Sequence, residues 1–190
     1  MHTFRQLAVV ASLALAGIAA HAGEISDSTI ISNGTVNTAT GFLATARQNI
    51  GVAEDNGKIK NSTISVNGAT NTAAGFLSTA EQNVGRATQN GQIVNSTITA
   101  NGLVNTSSGF LSTARQEVGF AKDNGRIENS VVQANGAVNT ASGFLSTATQ
   151  QIGGASGNGV LRNSTVIATG AVNTAGGFLS TATQSIGVAK

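Results

Sequence analysis

An unbroken period of 34 constrains this chain more than any other feature. Asn37, Asn71, Asn105, Asn139 and Asn173 recur at that spacing without insertion or deletion, each before a Thr. Phe42, Phe76, Phe110, Phe144 and Phe178 keep the same step, each between a Gly and a Leu, as do Gln48, Gln82, Gln116, Gln150 and Gln184. Gly51, Gly85, Gly119, Gly153 and Gly187 follow them. Five copies without one indel place the length of the unit itself under physical constraint. Repeat architectures, in which each unit packs only on its neighbours, impose that kind of constraint.

The unit is rich in Thr, Ser, Asn, Val, Ile and Gly, which favour strands and turns over helices. In the second copy Phe76, Ser78, Ala80, Gln82 and Val84 alternate with Leu77, Thr79, Glu81 and Asn83, a period of two. Asn67-Gly68 and Asn90-Gly91 supply residues that tolerate positive φ at corners, and Gly75 and Gly85 mark two more bends. The corner glycines are therefore Gly34, Gly68, Gly102, Gly136 and Gly170, with Gly57, Gly91, Gly125 and Gly159 at the other corner. The second copy reads as four strands, about 59 to 66, 69 to 74, 76 to 84 and 86 to 89.

Such strands join either as hairpins within a unit or as a coil stacking each strand in parallel on its counterpart one period later. Recurrent buried amides favour the coil, because stacking places Asn over Asn and Gln over Gln in hydrogen-bonded ladders. The expectation is an all-β solenoid of five units, rising about 4.7 to 4.8 Å per layer if one unit fills one layer. A layer holding half a unit stays open. The ladder residues are the five Asn, five Gln and five Phe named above.

Residues 1–22 read as a secretory leader. A basic start (His2, Arg5) precedes an apolar stretch from Leu7 to Ala20, and Ala20-His21-Ala22 fits signal peptidase, with cleavage between Ala22 and Gly23. Fourteen apolar residues make a helix of about 21 Å, too short for a bilayer core of roughly 30 Å. The mature chain, 23–190, then fills all but the last two positions of five full units. Gly23 aligns with Gly57 and Lys190 with Glu54, so both ends fall in register and neither reads as a polar cap. No membrane span is expected in the mature chain.

Composition narrows the function classes. There is no Cys, and both histidines, His2 and His21, fall in the leader, so neither thiolate nor imidazole serves catalysis or metal binding. No enzyme activity and no cofactor are expected. Once Arg5 leaves, nine basic residues face eight acidic ones, which is no nucleic-acid footprint. Asn-x-Ser/Thr at Asn33, Asn61, Asn95, Asn105 and Asn163 formally suits glycosylation, but Asp27 and Asn129-Ser130-Val131 break it at equivalent positions. Glu54-Asp55 aligns with Thr88-Gln89 and Ser156-Gly157, a solvated corner rather than a catalytic pair.

An open end offers unpaired backbone groups to another molecule. The reading is a subunit that polymerises with itself, head to tail, into an extracellular fibre. Charges such as Glu81, Arg86, Glu117, Lys122 and Arg126 crowd the first copies, and after Glu128 only Arg162 and Lys190 remain. Charges along β-prone segments restrain premature pairing, so the last two copies are expected to nucleate. The alternative is a monomeric secreted binding module, either an ice binder using the Thr45, Thr79, Thr113, Thr147 and Thr181 row or a surface adhesin.

The leader followed by five imperfect repeats rich in Gly, Asn, Gln, Ser and Thr resembles curlin, the subunit of a bacterial functional amyloid. The stretch from Gly136 to Gly143 (GAVNTASG), followed by Gln150-Gln151, is loosely similar to Fap-type fibre subunits. The resemblance implies biofilm matrix or adhesive filaments at the bacterial cell surface, export through an outer-membrane pore and a nucleator partner.

Overall fold

The structure, a computed structural model, describes residues 23–190. The leader expected at 1–22, with Ala22 of its cleavage site, lies outside the described residues. Every described element is a strand, four to each unit; in the second they are Lys58–Lys60, Thr63–Asn67, Thr70–Ala74 and Leu77–Ala87. Each strand pairs in parallel with its counterpart one period on: Ile59 with Ile93, Asn71 with Asn105, Gln82 with Gln116. One unit therefore makes one layer, and the half-unit layer is excluded. Four five-stranded parallel sheets run the length of a five-layer β-solenoid.

Two strand boundaries differ from the sequence expectation. The segment 59–66 is interrupted at Asn61, which has φ 46°; Asp27, Asn95, Asn129 and Asn163 at the same corner have φ between 47° and 50°. A short polar side chain tolerates this left-handed conformation, so the corner needs no glycine and leaves none to see. Conversely, the strands expected at 76–84 and 86–89 are replaced by one, Leu77–Ala87, that runs through Gly85. That residue has φ 62°, and a Cβ on it would lie 2.5 Å from Ile98 Cδ1, so it bends the strand inward without ending it.

The corner glycines divide into two kinds. Gly34, Gly68, Gly102, Gly136 and Gly170 have φ of 61–68° and open space or ordinary contact where a Cβ would be. At the other corner two successive residues are left-handed in each layer: Asn56, Asn90, Asn124 and Asn158, φ 59–66°, each preceded by Asp55, Gln89, Asp123 or Gly157, φ 54–67°; the glycine that follows serves a different need. A Cβ on Gly57, Gly91, Gly125 or Gly159 would collide with the carbonyl oxygen of Ala53, Ala87, Ala121 or Ala155. These glycines admit close backbone approach rather than positive φ. Gly75 is required on the same ground, against the carbonyl oxygen of Gly41.

The interior has two parts. Ile59, Ile64, Val66, Ala69, Val84 and Ala87, with their counterparts, form an aliphatic core between the first two sheets and the end of the fourth. Between the third sheet and the start of the fourth, only small residues such as Ala73, Ala80 and Ser78 share the space with Asn71 and Gln82. The ladder phenylalanines stand outside both parts. Phe76 precedes the fourth strand at the Gly75 corner and projects outward, 44% exposed, whereas the alternation had placed it on the face of Ser78 and Ala80.

Candidate functional site

Two amide ladders carry the polar interior. Asn37 Nδ2 donates to Asn71 Oδ1, and the same bond joins Asn71 to Asn105, Asn105 to Asn139 and Asn139 to Asn173, each at 2.8 Å. Each Asn also reaches across the layer to the fourth sheet: Asn105 Nδ2 donates to Ala80 O at 3.1 Å and Arg115 O at 2.9 Å. The Gln ladder runs at 2.5–2.7 Å with the opposite polarity, Gln82 Nε2 donating back to Gln48 Oε1 and so on up to Gln184. Asn71, Asn105, Asn139, Gln82, Gln116 and Gln150 are fully buried, so these bonds replace water that the interior excludes.

Further ladders escaped sequence reading. Ser62 Oγ donates to Lys60 O at 2.6 Å and accepts from Ser28 N at 3.2 Å, and Ser96, Ser130 and Ser164 repeat the arrangement. Corner amides also stack, Asn67 on Asn33 and Asn90 on Asn56. The recurring Asn-Ser-Thr triplet is thus a left-handed corner, a buried hydroxyl that seals it and an outward residue. The Ser of this triplet, present in all five copies, was the available signal.

The five Phe rings stack along one outer edge with centroids 4.9–5.2 Å apart and planes within 12°. That spacing matches strand separation in a sheet, about 4.7 to 4.9 Å. Thr45, Thr79, Thr113, Thr147 and Thr181 also fall in register, on the outer face of the fourth sheet. The neighbouring row is mixed, with Arg47, Glu81, Arg115, Thr149 and Thr183.

Charged side chains of the first three layers join across the stack. Arg47 and Arg86 approach Glu81 at 3.1 and 3.3 Å; Arg86 and Lys122 approach Glu117, each at 3.1 Å. The Glu117 side chain is only 1% exposed. Burial opposes ionisation of Glu81, but the Asn83 hydrogen bond and the charges of Arg47 and Arg86 outweigh it and hold the carboxyl below its ordinary range. Phe120, outside the ladder series, is buried and covers Gly154. Glu54 and Asp55 are exposed at their corner.

Among the described residues, the first and last layers follow the pattern of the inner ones with a neighbouring layer on one side only. Phe42 and Phe178 are 68% and 75% exposed, against 43–44% for the inner three rings. No described helix is long and apolar enough to cross a membrane. No protein-family model matches the chain, and no curated protein or solved structure matches it significantly, so its functional reading rests on its own residues.

Proposed function

We propose that this protein is a non-catalytic structural subunit, exported and polymerised outside the cell into an amyloid-like fibre of the biofilm-matrix or adhesive kind. The observation that carries the reading is the continuity of the ladders. The Asn, Gln, Ser and Phe columns run on to the outermost layers, where Asn37, Gln48, Asn173 and Gln184 present the groups that inner layers spend on one another. A second copy placed on either end extends the Asn, Gln, Ser and Phe columns in phase. The Asn, Gln and Phe columns, five residues each, carry the assembly, and the chain itself is the main partner. An export pore and a nucleating protein belong to the same proposal.

The test is electron microscopy of the purified chain 23–190, which contains every described strand, with fibre diffraction on any product. Unbranched filaments with a meridional reflection at about 4.7 to 4.8 Å support the polymer. A β-rich monomer that persists at high concentration overturns it. That outcome would favour the single-molecule reading, in which the in-register Thr row binds ice or a surface.

A further inference from the structure

The two end layers carry opposite charge. Counting side chains, the layer 23–56 holds Glu24, Asp27, Glu54 and Asp55 against Arg47, or −3. The layer 159–190 holds Arg162 and Lys190 with no acidic side chain, or +2; in the chain 23–190 the terminal ammonium and carboxylate reduce the two layers to −2 and +1, still opposite in sign. Within the molecule the −3 layer already rests on a +2 layer, that of Lys58, Lys60 and Arg86 against Glu81, and Lys60 Nζ lies 3.7 Å from Glu24 Oε1. Stacked head to tail, the acidic layer would have a cationic layer on both faces. Head-to-head contact would set −3 against −3, and tail-to-tail +2 against +2.

The columns name the partners. Lys190 occupies the corner position of Glu54: its N–H donates to Ala155 O at 2.9 Å, as Thr88 N–H donates to Ala53 O at 3.0 Å. One layer further on, head-to-tail stacking would set Glu54 of the next copy over Lys190. Arg162 stands over Glu128, 3.9 Å from its carboxylate, and the next copy would place Ser26 above it with Glu24 two residues away. Lys60 and Glu24 already pair across those two columns. The amides agree with this polarity. Asn ladders donate toward later layers and Gln ladders toward earlier ones, so only head-to-tail contact sets Asn173 Nδ2 against an Asn37 carbonyl and Gln48 Nε2 against a Gln184 carbonyl.

We propose that the junction between successive copies is an electrostatic lock, with Lys190 facing Glu54 and Arg162 facing Glu24 of the next molecule, that fixes fibre polarity and speeds addition at the growing end. This rests on the polymer reading above and specifies its contact. The layer separation of about 4.8 Å lies inside the Debye length of about 8 Å at physiological ionic strength, so the attraction acts at contact and is weakened by added salt.

Four substitutions test it, each using a residue type already present in its own column. Arg162→Glu with Lys190→Glu turns the last layer from +2 to −2, and Glu24→Lys with Glu54→Lys turns the first from −3 to +1. Each pair alone should slow seeded elongation at least about tenfold, and the fourfold variant, complementary again, should recover most of the rate. Wild-type elongation should slow as sodium chloride rises. Wild-type filaments with unaffected single-end variants, or no recovery in the fourfold variant, would sink the lock and leave the polymer standing. Absence of wild-type filaments would remove the polymer and the lock together. Circular dichroism checks folding; should a variant fail to fold, the wild-type salt response decides, and a rate that is flat or rising with salt overturns the proposal.

Discussion

At the scale of single residues, buried amides do what a hydrophobic side chain would do more simply elsewhere. Their reward is conditional on a neighbour, since Asn105 and Gln116 are fully buried and bonded to the layers on both sides. Asn105→Ala with Gln116→Ala strands polar groups in the middle of the stack, at about 1–3 kcal/mol each. Denaturant unfolding should show a loss within that range for each, and fibre assembly should slow; unchanged stability and kinetics would leave the ladders without energetic meaning. Chemistry at the corners follows the same bonds. All eight Asn-Gly dipeptides place the Gly N–H in a backbone hydrogen bond to the carbonyl of an adjoining strand or corner, from Gly34 to Asn67 O through Gly159 to Lys190 O. That nitrogen is the nucleophile of deamidation, so attack requires local opening. Mass spectrometry should find these sites far slower to deamidate in the folded protein than after denaturation, and equal rates would contradict the bonding.

At the scale of the element, one strand bend and one ion network show how local choices bind layers together. Gly85 and Gly102 share φ 62°, yet a Cβ on Gly85 would meet Ile98 at 2.5 Å and one on Gly102 finds only ordinary contact at 3.8 Å. Gly102→Ala should therefore cost only the left-handed backbone penalty, about 1–2 kcal/mol. Gly85→Ala should cost clearly more by thermal denaturation, because the aliphatic core must shift as well. The Glu81 carboxyl, held below its ordinary value of 4.5 in the folded state, ties the first layers together through Arg47 and Arg86. Its contribution is complete above that ordinary value and fades as pH falls through the lowered one. The stability gap between wild type and Glu81→Gln should thus be largest near neutrality and shrink in acid; a gap that grows in acid would reverse the assignment.

At the scale of the whole molecule, the layers are alike in fold but unlike in charge. The cross-layer network of Arg47, Glu81, Arg86, Glu117 and Lys122 belongs to the first three layers, and the Arg126, Glu128 and Arg162 set spans the last two. Residues 129–190 retain two charged side chains, whereas 24–91 carry nine. Charge restrains β-prone segments from early pairing. A peptide of 129–190 should assemble faster than one of 24–91 under the same conditions, as followed by a dye that reports cross-β structure. Equal or reversed rates would mean that nucleation is not set by charge.

The period of 34, the all-β class, parallel stacking of like on like, and the Asn and Gln ladders were legible in the sequence, because a repeat without indels in a β-forming composition leaves the stacked coil as the consistent way to pair its amides. Even the Gly34-type corners could be read, since positive φ favours glycine. What the sequence did not separate was decided by packing between layers. Asn61 turns a corner without glycine, Gly85 bends a strand instead of ending it, and Gly57 exists to let two backbones touch. The Phe column lies outside because the narrow space between the third and fourth sheets is already filled by Ala, Ser, Asn and Gln, whose amides must reach carbonyls across it. Periodicity along the chain determines which residues meet in a column; only the closed cross-section determines whether a column faces the interior or the solvent.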